Sequence, residues 1–209
     1  MKLFRLNGIG RAALYVPVLA CCAALALLAH AAGVIVLIVG PPGSGRTTQA
    51  AFLRSDLGMG VITADDLISQ NRQNFQSNRV PALNGVDPHL DPAINELVRE
   101  ALKAMDLSKG VVLDGYPASK IQGDYLKTLR VEFALTRVVV IHLSAPDDVV
   151  RKRLKGQSRD VEQELKDYHR EFDFVRQYFP TTDIRDVDAT KEPAAVARQI
   201  KKILQSGRR

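Results

Sequence analysis

Cysteine is almost missing from this chain of 209 residues: the two present, Cys21 and Cys22, sit side by side in an apolar N-terminal stretch. Everything downstream can therefore form no disulfide and no thiolate-bound metal centre. Histidine is nearly as sparse. His30, His89, His142 and His169 are scattered without the spacing of a ligand set, and read as structural or surface residues. A strong excess of one charge is also lacking. The formal charge is +6, but three of the 29 basic residues, Lys2, Arg5 and Arg11, lie at the N-terminus, leaving 26 against 23 acidic ones. With no basic run interleaved with aromatics, nothing argues for nucleic acid as a partner, and none is expected. Repeats, low-complexity segments and a spare linker are absent too. A hydrophobic content of 46% and a charged content of 25% are ordinary for a globular chain. They suit one domain with a real core and a short appendage.

The appendage is residues 1–32. Lys2, Arg5 and Arg11 precede eighteen uncharged, largely apolar residues, Ala12 to Ala29. This pattern reads either as a signal peptide with Ala29-His30-Ala31 as a small-x-small cleavage site, or as a single membrane-spanning helix near the lower length limit. In both cases the positive flank stays inside, and the domain from residue 33 to 209 is expected to be exported or membrane-anchored on the non-cytoplasmic side. If the segment is no targeting signal, the protein is cytoplasmic.

The domain opens with Gly33 to Ala50, GVIVLIVGPPGSGRTTQA. Val34 to Val39 is a short, mostly β-branched apolar run, the pattern of a buried parallel strand. Thr47 to Leu57 reads as a helix, so Gly40-Pro41-Pro42-Gly43-Ser44-Gly45 joins a strand to a helix N-terminus. Backbone N–H groups of such a loop converge on one spot, and the helix dipole favours an anion there. Gly40 and Gly45 have the spacing of a phosphate-binding P-loop, with Arg46 where Lys is usual and Thr47 and Thr48 following. Arginine keeps the charge but is a planar fork rather than a compact ammonium.

Further strands are expected at Gly60–Thr63, Val111–Leu113, Val138–Leu143 and Asp186–Asp188, and helices at Ala64–Ile68, Pro92–Met105, Val149–Lys155, Val161–Tyr178 and Pro193–Leu204. Residues 71–88 are polar and without period. Strands alternating with helices predict an α/β fold, a three-layer sandwich whose parallel sheet is covered on both faces. Ligands in such sheets sit at the carboxyl ends of the strands, where Gly40, Thr63, Asp114 and Ser144 fall.

From Val34 onward, over about 175 residues, the chain resembles the adenylate kinase family of nucleoside-monophosphate kinases. Gly40 through Gln49 is similar to the family's GxPGxGKGTQ, Ile62-Thr63-Ala64-Asp65 to its STGD, and Asp114-Gly115-Tyr116-Pro117 to the start of its DGFPR. Pro146-Asp147-Asp148 through Arg153 resembles its PDE…R helix, and Asp188-Ala189-Thr190 with Glu192-Pro193 its closing strand and helix. The resemblance implies a P-loop fold with a small acceptor-binding insertion and a very short lid, Gly156 to Asp160. It implies ATP and Mg²⁺ as cofactors and phosphoryl transfer to a nucleoside monophosphate, a reaction of positioning and charge neutralisation. Gly40, Pro41, Gly43, Ser44, Gly45, Arg46, Thr47 and Thr48 would bind the nucleotide phosphates. Thr48 and Asp114 would hold Mg²⁺ through waters. Thr63, Gly115 and Gln122 would frame the acceptor base, and Arg153 would face the transferring phosphoryl group.

Several family cations are replaced. Ile68 and Ala118 stand where arginines contact the acceptor phosphate, and Gln157 and Glu164 where the lid carries arginines. Lys120 and Arg159 are the candidate substitutes. One transition-state arginine in phosphoryl transfer is worth roughly 10³- to 10⁵-fold, although such losses do not add. The expected protein is therefore either a weak phosphotransferase or a catalytically impaired nucleotide-binding protein on a kinase fold.

Overall fold

The computed structural model describes residues 33–71, 90–157 and 160–206. Five strands form one sheet: β1 (Val34–Val39), β2 (Gly60–Thr63), β3 (Val111–Asp114), β4 (Arg137–Ser144) and β5 (Ile184–Asp188). Their order is β2-β3-β1-β4-β5, and every pairing is parallel. The described helices are α1 (Arg46–Leu57), α2 (Ala64–Gln70), α3 (Asp91–Lys103), α4 (Lys120–Glu132), α5 (Asp147–Leu154), α6 (Val161–Tyr178) and α7 (Pro193–Ser206). Among the described residues no helix is long and apolar enough to cross a membrane. The N-terminal stretch Ala12–Ala29, most of the polar segment 71–88 and Arg159 lie outside them.

Side chains alternate across each strand, so one continuous apolar run feeds two cores. Ile35, Leu37 and Val39 point with Val111, Leu113 and Val140 toward α3, α4 and α6, meeting Ile94, Val98, Leu126, Leu129 and Val175. Val36 and Ile38 point the other way, with Val112, Ile141 and Leu143, toward Ala50 and Leu53 of α1 and Val196, Ile200 and Leu204 of α7. Each fully buried aliphatic side chain contributes about 1.5–3 kcal/mol relative to exposure. β1 sits at the centre, paired with β3 on one side and β4 on the other: the chain passes from β1 to β2 and β3 on one side and then crosses β1 to reach β4 and β5. Its carboxyl end is the point where the strand order reverses, which is where a doubly wound sheet opens a crevice.

One helix departs from the sequence reading. The stretch after Tyr116-Pro117 carried no expected element, yet α4 fills it. Its buried face begins with Gln122 and Gly123, while Ile121 and Val131 are exposed, so the apolar period is masked. Gly123 is required there: a Cβ would come within 2.8 Å of the Tyr178 ring. The helix is capped by Ser119, whose Oγ accepts from the Gln122 N–H at 3.2 Å.

Truncating Ile200, which is fully buried between α7 and the sheet, should cost about 2–5 kcal/mol of unfolding free energy in denaturant titrations. Val131→Ala, at a position 84% exposed, should stay within about 0.5 kcal/mol of the parent.

Candidate nucleotide site

The loop between β1 and α1 wraps a cavity at the carboxyl end of the sheet, about 540 Å³ in volume, lined by residues 40–48 of the loop and first helical turn. Asp65, Gly115, Ala118, Glu164, Asp167, Tyr168 and Glu171 complete the wall. A Ser44 N–H to Pro41 carbonyl bond of 3.1 Å closes the tight turn. Gly43 and Gly45 adopt φ of 70° and 93°, a left-handed conformation that favours glycine. At Gly40 a Cβ would lie 2.9 Å from the Leu143 carbonyl oxygen and 2.7 Å from Ser44 Oγ. Gly45 is the N-cap of α1 and offers no side-chain acceptor, so the leading N–H groups of the helix are left for a ligand.

Asp114 ends β3, registered against Ile38 of β1 and Thr63 of β2; its neighbour Gly115 lines the cavity and Asp114 itself does not. Flanking strands on both sides bury it to 4% exposure. Arg46 Nη1 stands 3.5 Å from its Oδ1, an atom that makes no hydrogen bond among the described residues; the buried Ser44 Oγ makes none either. Burial raises the Asp114 pKa above 3.8, the nearby Arg46 guanidinium lowers it, and Asp65 and Asp66 raise it further. Glu171 on α6 is raised in the same way, first by burial, against Arg46 and with Asp114 and Asp65. Five groups, Asp114, Arg46, Asp65, Asp66 and Glu171, therefore share one field, and Arg46 is the one cation among the described residues lining the cavity.

Among the described residues no group of three or more His, Cys, Asp or Glu is placed to hold a metal. Magnesium needs no such cage, since it binds through one or two carboxylates, waters and substrate phosphates. The buried Asp114 oxygen with no hydrogen bond, together with the cavity-lining hydroxyl of Thr48, fits that demand.

The loop residues, Arg46, Thr47, Thr48 and Gly115 line the cavity; other candidate residues, Asp114 among them, do not. Arg153 donates from Nη1 to the Gly43 carbonyl (3.2 Å) and from Nη2 to the Ala189 carbonyl (2.8 Å). It braces the loop from behind instead of facing a phosphoryl group. Lys120 is exposed and pairs with Asp124 at 2.6 Å, outside the cavity lining. Gln122 is 1% exposed: its Oε1 accepts from the Ala118 N–H at 2.7 Å and its Nε2 donates to Asp91 at 2.7 Å. Its amide holds the start of α4, and in this arrangement it is not presented to an acceptor base. Thr63 ends β2 beside the site without lining it. Arg159 lies outside the described residues. The sequence reading missed the face of α6. Glu164, Asp167, Tyr168 and Glu171 recur at helical spacing, the one signal that could have grouped them.

A family model for the AAA domain matches residues 39–167, which spans the loop, Asp114 and the first two residues of the α6 face, Glu164 and Asp167. Curated adenylate kinases align over nearly the whole domain. That of Clavibacter michiganensis is 32% identical over 185 residues, covering 81% of this chain and 92% of the relative. The adenylate kinase of Mycolicibacterium vanbaalenii is 32% identical, with 75% and 91% covered, and that of Micrococcus luteus 29% identical, with 83% and 91% covered. The chain belongs to the adenylate kinase family. Nucleotide-kinase-like function is thus supported at the level of the family, as is nucleotide binding by the P-loop.

An acid whose pKa is raised on folding lends stability below its unfolded value of 3.8, and that contribution is lost as pH rises through the folded value. Asp114→Asn keeps the shape and removes the buried charge, while Arg46 remains partly in solvent. The variant should melt higher than the parent at pH 8 and show little difference at pH 3.5, by scanning calorimetry.

Proposed function

We propose that this protein binds ATP with Mg²⁺ at the phosphate loop and transfers a phosphoryl group, slowly, to a nucleoside monophosphate. The observation that carries the reading is the uncapped N-terminus of α1, whose first turn with Thr48 lines the cavity and whose Arg46 reaches to 3.5 Å from the buried Asp114. Loop N–H groups would hold the phosphates, and Arg46 would offset charge on the β-phosphate side. Asp114 and Thr48 would hold Mg²⁺ through waters; the ion, when bound, neutralises charge developing on the phosphoryl oxygens. Thr63 and Gly115 would border the acceptor.

The low rate follows from the missing cations. Ile68 is 2% exposed in the core, and Ala118 lines the cavity with a methyl group. Neither Lys120 nor Arg153 is brought to the cavity. These placements favour a second reading, in which the fold binds nucleotide without transfer. Labelled-phosphate transfer from ATP to a panel of monophosphates decides between them. Under the first reading AMP or another monophosphate is labelled, and Asp114→Ala slows the reaction by roughly 10²-fold or more. Under the second, no label moves while ATP raises the melting temperature by mass action.

The wall carries Asp65, Glu164, Asp167 and Glu171 against one guanidinium. Glu171→Gln removes a negative charge from the field at Arg46 and should tighten ATP binding by about 3- to 10-fold, measured calorimetrically. From residues 1–32 we infer membrane association or export. An uncleaved anchor would leave the protein in the membrane pellet after alkaline carbonate extraction, a cleaved signal would leave a shortened soluble chain, and full-length soluble protein would place it in the cytoplasm.

A further inference from the structure

One hydrogen-bonded line runs from the outer strand of the sheet to the cavity wall and takes no part in the chemistry above. Asp186 on β5 is exposed, and its Oδ1 lies 2.6 Å from Nδ1 of His142 on β4. His142 is 6% exposed. Its Nε2 lies 2.8 Å from the hydroxyl of Tyr168 on α6, and its ring stacks on Phe172 with centroids 3.7 Å apart. Tyr168 in turn lines the cavity beside Glu164, Asp167 and Glu171, on the same helix face.

The chemistry of the partners fixes the tautomer. A carboxylate only accepts, so Nδ1 carries the imidazole hydrogen; Nε2 is then an acceptor, and the Tyr168 hydroxyl donates to it. With His142 neutral, every one of these contacts pairs a donor with an acceptor. A proton on Nε2 reverses the second bond: the Tyr168 oxygen then accepts from Nε2–H, and the hydroxyl hydrogen of that mostly buried tyrosine loses its acceptor. Burial lowers the His142 pKa from 6.5, Asp186 raises it, and Arg176 of α6 lowers it. Its neighbour in register on β1 is the apolar Val39. Around Tyr168 stand Asp147 of α5, Glu171 and Asp186. His169, whose ring lies 4.9 Å from that of Tyr168 and whose Nε2 meets Asp147 at 3.2 Å, is a second titrating group nearby.

We propose that His142 is a positioning residue for the nucleotide cavity: in its neutral form it ties α6 to the sheet through Asp186 and Tyr168 and holds the cavity-facing side of that helix in place, so that its protonation loosens the wall and weakens nucleotide binding. The inference rests on the reading of the cavity as a nucleotide site. A loosened wall must be ordered again when ligand enters, and that ordering is taken from affinity. The tie is local, three side chains on three elements, and none of them belongs to the loop.

The full-length protein tests this with two readouts between pH 5 and 8: ATP–Mg²⁺ affinity by calorimetry, and hydrogen-exchange protection of amides 164–171 without nucleotide. In the parent, affinity should fall about 3- to 10-fold and protection should drop together as pH passes below 6.5, the ordinary histidine value. His142→Gln places an amide near the Nε2 position, gives up the Asp186 contact and cannot titrate; whatever its affinity at neutral pH, it should show no step. Tyr168→Phe should show the weaker affinity at every pH. A step of the same size in parent and His142→Gln would overturn the proposal and assign the titration to His169, as would a parent affinity that is flat or rises on acidification. If ATP binds at no pH, the nucleotide reading fails, and protection alone decides the tie. A step in the parent that His142→Gln abolishes upholds it, and superimposable profiles overturn it.

Discussion

A carboxylate buried at the end of an interior strand sets the terms of this site. Asp114 is held between β1 and β2 with 4% exposure and one guanidinium 3.5 Å away. Hydrophobic packing alone would favour an apolar residue in such a place, because the lone partner is itself partly in water and offsets only some of the desolvation. Burial dominating the Asp114 shift, with Arg46 opposing it, expresses that imbalance. A buried charge with a perturbed pKa, within reach of Arg46 at an uncapped helix N-terminus, is what a cation-assisted phosphate site demands. The same position is expensive for any purely structural account.

Around that carboxylate the parts divide into a donor side and an acceptor side, and they have fared differently. On the donor side the glycines, the closed turn at Ser44, the uncapped helix start and the Arg153 brace cooperate to keep backbone N–H groups aimed at one volume. On the acceptor side, Ile68 has become a core residue and Gln122 has been drawn into the capping of α4 by Ala118 and Asp91. Binding energy for a nucleoside triphosphate can survive such changes, because loop backbone contacts do not depend on side-chain identity. Rate is more sensitive, since it depends on interactions made only in the transition state.

The fold was legible where physics acts locally. The β-branched run Val34–Val39 could only be an interior strand, and its glycine-rich end could only turn tightly into a helix. The family resemblance named the loop and Asp114; the loop lines the cavity, and Asp114 ends β3 next to the lining residue Gly115. Legibility failed where burial recruits polar residues. α4 hides its inward face behind Gln122 and Gly123, so no apolar stripe announced it. Arg153 and Lys120 look alike in sequence as spare cations, yet only three-dimensional neighbours show that one is consumed by two carbonyls and the other by Asp124. The acidic face of α6 was visible as spacing, but no sequence rule says which face of an amphipathic helix meets a distant loop.

That face explains why charge, more than shape, governs what this cavity accepts. A bare triphosphate approaching Asp65, Asp114 and Glu171 would meet like charge at short range in a partly desolvated site, where Coulomb terms are several times their value in water. Arg46 Nη1 stands 3.5 Å from Asp114, so the field of its one charge is shared between that carboxylate and an incoming phosphate. Neutralisation must therefore come with the ligand, as a metal-bound polyphosphate, or from the loop N–H groups, whose positive field is independent of pH. On the proposed reading, the acidic wall would select against anions that arrive without a counterion.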